Sequence, residues 1–206
     1  MQRVIVYIDG FNLYFGLKAK GWQRYYWLNP LLLAKNLLKP GQQLVGVKYY
    51  TARISSHPSD PGKHKRQATW LEAIETLPIT RVFYGHYLPK QRQCFTCGAI
   101  WMTHEEKMTD VNIAVELLRD AYEDIVDTAL IISADSDLAP PVDAVRGKFP
   151  AKRMIIVCPP ERQSKKLESV ANATFRLGRK ILQDSQFPDA YTKPDGFVLH
   201  RPESWK

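Results

Sequence analysis

The chain has 206 residues, 45% of them hydrophobic and 24% charged, with 29 Lys+Arg against 21 Asp+Glu and a net charge of +8. One domain of this size buries roughly 70% of the surface its unfolded chain exposes, so no disulfide or metal staple is needed to hold it. No apolar run approaches the ~18 residues of a membrane span, and the basic balance favours a polyanionic partner, nucleic acid first, with a merely basic protein as the equal alternative on charge alone.

In chain order, Met1-Gln2-Arg3 runs directly into an apolar strand, Arg3–Ile8, with no cleavable leader. Together with an odd number of cysteines, three, this leads to the expectation of a reducing cytoplasm and no membrane association. A helix begins around Asn12, and Asn29 caps another with Pro30 at its first position. Val45–Ile54 reads as the second strand and Asp60–Thr76 as the helix after it. Arg81–Tyr87 reads as the third strand. Asp110–Tyr122 reads as a helix with Val111, Ala114, Val115, Leu118 and Tyr122 on its apolar stripe. Thr128–Ser133 and Arg153–Cys158 complete five strands, followed by helices over Ser136–Arg146 and Ser164–Phe175. The alternation predicts an α/β fold with a mostly parallel five-stranded sheet covered on both faces. Two stretches break the pattern: His86–His104, with Cys94-x-x-Cys97, and the Pro-rich 184–206, read as an irregular tail beyond a domain at 1–183.

Three acidic segments fall where such folds bind ligands, outside the carboxyl ends of strands. Asp9-Gly10-Phe11-Asn12 closes the first strand, Lys107-Met108-Thr109-Asp110 opens a helix, and Ser133-Ala134-Asp135-Ser136-Asp137 closes the fourth strand. Taken singly, Asp9 reads as an Asp-Gly turn, Asn12 as a helix cap, and Asp110 as a first-turn acid favoured by the helix dipole. Asp135 and Asp137 repel each other by on the order of 4 kcal/mol at ~4 Å and an effective dielectric of ~20. A hard divalent cation reverses that sign, because it takes oxygen ligands. Glu105 and Glu106 read as surface acids nearby.

Taken together, Tyr7–Tyr14, Glu106–Ala114 and Leu130–Leu138 resemble, in letters, order and separation, the NYN family of PIN-like nucleases over roughly residues 1–180. The resemblance implies a Rossmann-like (PIN-like) three-layer sandwich and an endoribonuclease that hydrolyses RNA phosphodiesters with Mg²⁺ or Mn²⁺. By position it implies Asp9, Asp110, Asp135 and Asp137 as metal ligands, and Asn12 as the residue that orients an acid or the substrate. Ser133 and Lys107 would support the pocket from its rim. Ala134 stands where many relatives have Gly. An RNA-binding module with a weak or inactive pocket is the alternative. A haloacid-dehalogenase-type phosphohydrolase is disfavoured because its Asp-x-Asp nucleophile motif would need an acid where Phe11 stands.

Arg162 and Lys165, after the fifth strand, are candidate phosphate contacts. Trp22, Tyr25, Tyr26 and Trp27 read as core, with base stacking as the alternative. Cys94-Phe95-Thr96-Cys97-Gly98 is half of a zinc knuckle. His86 and His104 are the nearer candidates to complete it, His57 and His64 the more distant ones, and a site shared across a homodimer is the other route. Cys158 reads as a buried small hydrophobe.

Overall fold

A computed structural model describes residues 1–56 and 60–206; His57 and the side chains of His104, Glu105 and Glu106 lie outside the described residues. In chain order the elements are β1 (Gln2–Asp9), α1 (Gly10–Ala19), α2 (Pro30–Leu37), β2 (Gln42–Thr51), α3 (Lys63–Glu75), β3 (Thr80–Tyr84), β4 (His86–Gln93), β5 (Ile100–Lys107) and α4 (Thr109–Tyr122). They continue with β6 (Thr128–Ile132), α5 (Ala139–Lys148), β7 (Arg153–Cys158), α6 (Lys165–Ser169), β8 (Ala173–Arg176), α7 (Arg179–Gln183), β9 (Ala190–Thr192) and β10 (Val198–His200). Among the described residues no helix is long and apolar enough to cross a membrane.

The central sheet has six strands in the order β3-β2-β1-β6-β7-β8, and its pairs are parallel. Alternation along β1 divides the core. Val4, Val6 and Ile8 pack with residues of α1, α2 and α3, among them Leu13, Leu33 and Leu71. Ile5 and Tyr7 pack on the other face with Ile113 and Leu117 of α4 and Val142 of α5. This is an α/β sandwich with helices on both faces, as the strand–helix alternation predicts.

Several expectations are corrected. The sheet has a sixth strand, because Ser164–Phe175 is not one helix: α6 ends at Ser169 and the chain re-enters the sheet as β8. Asn172 makes the turn, its backbone N–H donating to the Met154 carbonyl and its Oδ1 accepting from the Met154 N–H. β8 is an exposed edge strand, so it lacks the buried apolar run that marks the central strands. The predicted strand Arg81–Tyr87 breaks at Gly85, after which β4 pairs with β5 as a separate hairpin. The predicted helix at Asp60 begins at Lys63, and the one at Ser136 is a 3-10 turn, Ser136–Leu138, followed by α5.

Residues 184–206, expected to be irregular, carry the β9–β10 hairpin and fold back onto α2 and α3. Phe187 and Leu199 are buried there, and the Trp27 indole donates to the Pro188 carbonyl at 2.8 Å.

A candidate active site at the switch point of the sheet

From β1 the chain first adds β2 and β3 on one side, then returns to place β6 on the other. The crevice outside the carboxyl ends of β1 and β6 is therefore the switch point, where open α/β sheets bind their ligands. Asp9 is the last residue of β1, and Ser133 follows the last residue of β6.

Gly10 sets how closely α1 starts against the sheet. A Cβ there would lie 2.6 Å from the Tyr50 carbonyl oxygen and 2.6 Å from the Tyr49 ring, so only glycine lets the helix begin at this point. Asp9 caps the helix: its Oδ1 accepts from the Asn12 N–H at 2.9 Å. Its Oδ2 accepts from the Ser133 hydroxyl at 2.8 Å, and the Ser133 oxygen accepts from the Asp135 N–H at 3.0 Å. Asn12 Oδ1 accepts from the Ala134 N–H at 3.1 Å. Asp135 Oδ1 accepts from the Asp137 N–H at 3.0 Å and caps the 3-10 turn. Two bridges thus tie the end of β1 and the start of α1 to the loop after β6, across more than 120 positions of sequence.

The expected residues are distributed unevenly. Asp9 is 3% exposed and Ser133 is 0% exposed. Asp135 is half-buried and Asp137 exposed. Ser133 therefore lies beneath the loop, its hydroxyl shared by Asp9 and Asp135, and does not reach the rim as expected. Asp110 is half-buried in the first turn of α4, which packs against the 136–138 turn. The residue before this helix, Met108, has φ +79°, a left-handed conformation that costs a non-glycine residue on the order of 1 kcal/mol or more and fixes the angle at which α4 departs. Lys107 and Lys165 are exposed. Arg162 is half-buried, its guanidinium 6.0 Å from the Phe15 ring centroid. Buried Tyr49, beside Gly10, has its hydroxyl pKa pushed well above the ordinary phenol value by desolvation and by Asp9, so it stays protonated.

The donors are carboxylate, hydroxyl and carboxamide oxygens, which suit a hard divalent cation. Among the described residues no three of His, Cys, Asp and Glu are grouped closely enough to close a cage. Mg²⁺ needs no such cage: it commonly keeps its waters and binds through one or two carboxylates together with substrate phosphates. Asp9 and Asp135, linked through Ser133, fit that mode.

Beside this edge lies a cavity of about 500 Å³ that sequence reasoning did not find. Phe11, Tyr14, Tyr26, Trp70 and Trp205 line it together with Lys63, whose Nζ stands 5.2 Å from the Tyr14 ring centroid. The clustered aromatics Trp22–Trp27 were its only signal. Of these Tyr25 and Trp27 are buried, as core residues are, and Tyr25 and Tyr26 also face the cavity.

The Cys94–Cys97 pair sits at the turn of the β4–β5 hairpin, away from the acidic edge in sequence register. Hydrogen bonds from the backbone N–H groups of Cys97 and Thr96, and from the Cys97 side chain, lower the Cys94 pKa. Cys158 is buried in β7, and desolvation followed by the nearby Glu168 carboxylate raises its pKa.

Comparison with known proteins bears on the fold and the family. The chain is 28% identical over 188 residues to 6-hydroxy-3-succinoylpyridine 3-monooxygenase HspA of Pseudomonas putida; the match takes in 75% of this chain and 59% of that protein, so the chain spans well under two thirds of its relative's length. In fold it is similar to a protein of unknown function from Vibrio parahaemolyticus, with a TM-score of 0.56, 18% identity, and 90% and 96% of the two chains covered. The family model described as NYN domain matches residues 3–178, and with it come a PIN-like nuclease fold and the general expectation of a hydrolase. The chain belongs to the NYN domain family.

Proposed function

We propose that the protein is a metal-dependent ribonuclease that hydrolyses RNA phosphodiester bonds at the β1–β6 crevice. One observation carries this reading: the hydrogen-bond chain from the Asp9 carboxylate through the Ser133 hydroxyl to the Asp135 backbone N–H, which brings the two acids to the switch point of an NYN fold. Asp9 and Asp135 would hold Mg²⁺ or Mn²⁺, with Asp110 and Asp137 completing the acidic rim. A bound ion of this kind supplies a lowered water pKa and a counter-charge for the leaving oxygen. The chain's own part is positional. Ser133 and Asn12 lock the two loops in one geometry, so no reorganisation is needed when substrate arrives. Lys107, Arg162 and Lys165 offer positive charge for phosphates on either side of the cleaved bond.

A second reading rests on the cavity and on the Pseudomonas relative, whose name describes action on a pyridine acid. An aromatic-walled cavity with Lys63 at its wall suits a planar heteroaromatic ring carrying an anionic group. In this reading the cavity binds a free ligand of that kind.

Incubation with labelled single-stranded RNA and Mn²⁺ or Mg²⁺ tests the first reading. Cleavage should be abolished by chelator and fall at least about 100-fold in Asp135→Asn, as expected when a transition-state electrostatic contact is removed. Cleavage that persists in Asp135→Asn defeats it. RNA binding without cleavage identifies an RNA-binding module. Binding of 6-hydroxy-3-succinoylpyridine without RNA binding favours the second reading.

A further inference from the structure

The hairpin of β4 and β5 pairs with no other strand of the molecule among the described residues. A two-stranded ribbon is marginally stable in water by itself. Its last cross-strand pair is Gln93 with Ile100, and the turn beyond it is tightly closed. The Cys94 N–H donates to the Ala99 carbonyl at 2.8 Å, and the Gly98 N–H to the Cys94 carbonyl at 2.9 Å. Gly98 takes φ +70°, the left-handed conformation that suits glycine. Both thiols are free, and they stand three residues apart within this closed turn, the Cys-x-x-Cys spacing of a zinc-ligand pair.

A structural zinc site takes four ligands in a tetrahedron at ≈ 2.0–2.3 Å from the metal. The hairpin's own histidine positions cannot supply the missing two. His86 lies eight residues from Cys94 along β4, about 26 Å at ≈ 3.3 Å per residue. Position 104 is paired with Pro89, which puts it five residues, about 16 Å, from Cys94 on the same scale. Cys158 is enclosed in the central sheet. Among the described residues no third donor joins the pair.

We propose that two copies of this chain share one zinc ion, each giving Cys94 and Cys97, in a site that neither copy completes alone. A two-fold axis through the ion brings the same tip to itself, the commonest arrangement of soluble oligomers. The surface that would meet across that axis is apolar. Phe95 at the turn is fully exposed, and Ile100 and Met102, which share one face of the strand that leaves the turn, are 60% and 58% exposed. Covering these side chains in a partner's hairpin removes apolar area from water, and the metal fixes the register of the two ribbons.

The test uses the full chain, purified under reducing conditions, with ZnCl₂ as the probe and with metal content and light-scattering mass as readouts. The expected result is one zinc per two chains and a dimer. Chelator should strip the metal and give monomer, and ZnCl₂ should restore the dimer. Cys94→Ser should be monomeric and zinc-free with an unchanged far-ultraviolet circular dichroism spectrum, because the hairpin lies outside the central sheet. If that variant fails to fold, chelation of the unmodified protein decides. The proposal is overturned by one zinc per monomer, by a zinc-free protein with both thiols titratable in the presence of ZnCl₂, or by a dimer indifferent to chelator. None of these readouts depends on nuclease activity.

Discussion

The hydroxyl of Ser133 donates to Asp9 and accepts from the N–H of Asp135, while Asp9 also caps α1. The local reading of Asp9 as a turn or cap residue and its reading as a site residue describe the same side chain. One oxygen serves the helix and the other accepts from Ser133 at the carboxyl end of β6. The sequence shows the strand end and the helix start, because both are written in adjacent letters. It does not show that Ser133 is the bridge, since the bond spans 124 positions. At the opposite edge of the sheet Arg3 clamps Asp127, from Nη2 to Oδ1 at 2.6 Å and from the backbone N–H to Oδ2 at 2.7 Å. The Arg3 side chain and its backbone N–H hold the Asp127 pKa at about 2, below its ordinary 3.8. A depressed folded-state pKa gives stability that is present above the unfolded value and lost as pH falls through the folded one. Acidification from pH 4 to pH 2 should therefore lower the urea midpoint, and Asp127→Asn should flatten that part of the profile. Equal slopes in the two proteins would assign the acid sensitivity to other groups.

At the scale of elements, α4 is the clearest departure from its sequence pattern. Of the stripe Val111, Ala114, Val115, Leu118 and Tyr122, expected to face the core, Val111, Val115 and Tyr122 are 57%, 55% and 65% exposed, and Ala114 and Leu118 are half-buried. The buried face carries Ile113, Leu117 and Ala121 together with Glu116 and Asp120. Charged letters on a buried face are invisible to a hydrophobic pattern, and their partner comes from another element. Lys48 of β2 reaches Glu116 and Asp120 at 2.6 Å each, and the Tyr7 hydroxyl donates to Asp120 at 2.6 Å. This network fixes how α4 lies on the sheet, and so where its first turn, with Asp110, meets the carboxyl edge. Lys48→Met removes the buried counter-charge of two neighbouring carboxylates, leaving Glu116 with Arg119 at 2.8 Å and Asp120 with only the Tyr7 hydroxyl close by, and should cost roughly 3 kcal/mol in equilibrium unfolding. Adding Glu116→Gln and Asp120→Asn should recover part of that loss, because neutral groups are less costly to bury than unpaired charges. A loss under about 1 kcal/mol in the single variant would show that the network is solvated.

For the whole molecule, the C-terminal segment is part of the folded body. The Phe187 N–H donates to the Trp27 carbonyl at 3.0 Å, and Trp205 lies against Tyr26 and Trp27 with ring centroids 5.7 and 6.4 Å away. Truncation after Ser185 removes the burial of Phe187 and Leu199, each worth roughly 1.5–3 kcal/mol, and uncovers Trp27. The truncated protein should melt well below the full chain, with a red-shifted tryptophan emission. An unchanged melting temperature would mean that the segment adds nothing to the core. Its prolines and short strands gave no periodic pattern by which to see this in the sequence. What the sequence alone determined were the buried strands β1, β6 and β7, the helices between them and the order of the acidic motifs, because continuous apolar runs and capping residues act through neighbours in the chain. Only the tertiary structure decided which motifs touch, which face of α4 is buried, that β8 completes the sheet and that the hairpin's cysteines stand apart from its histidine positions. Those outcomes depend on partners far away in sequence, and local periodicity specifies a buried face without specifying what covers it.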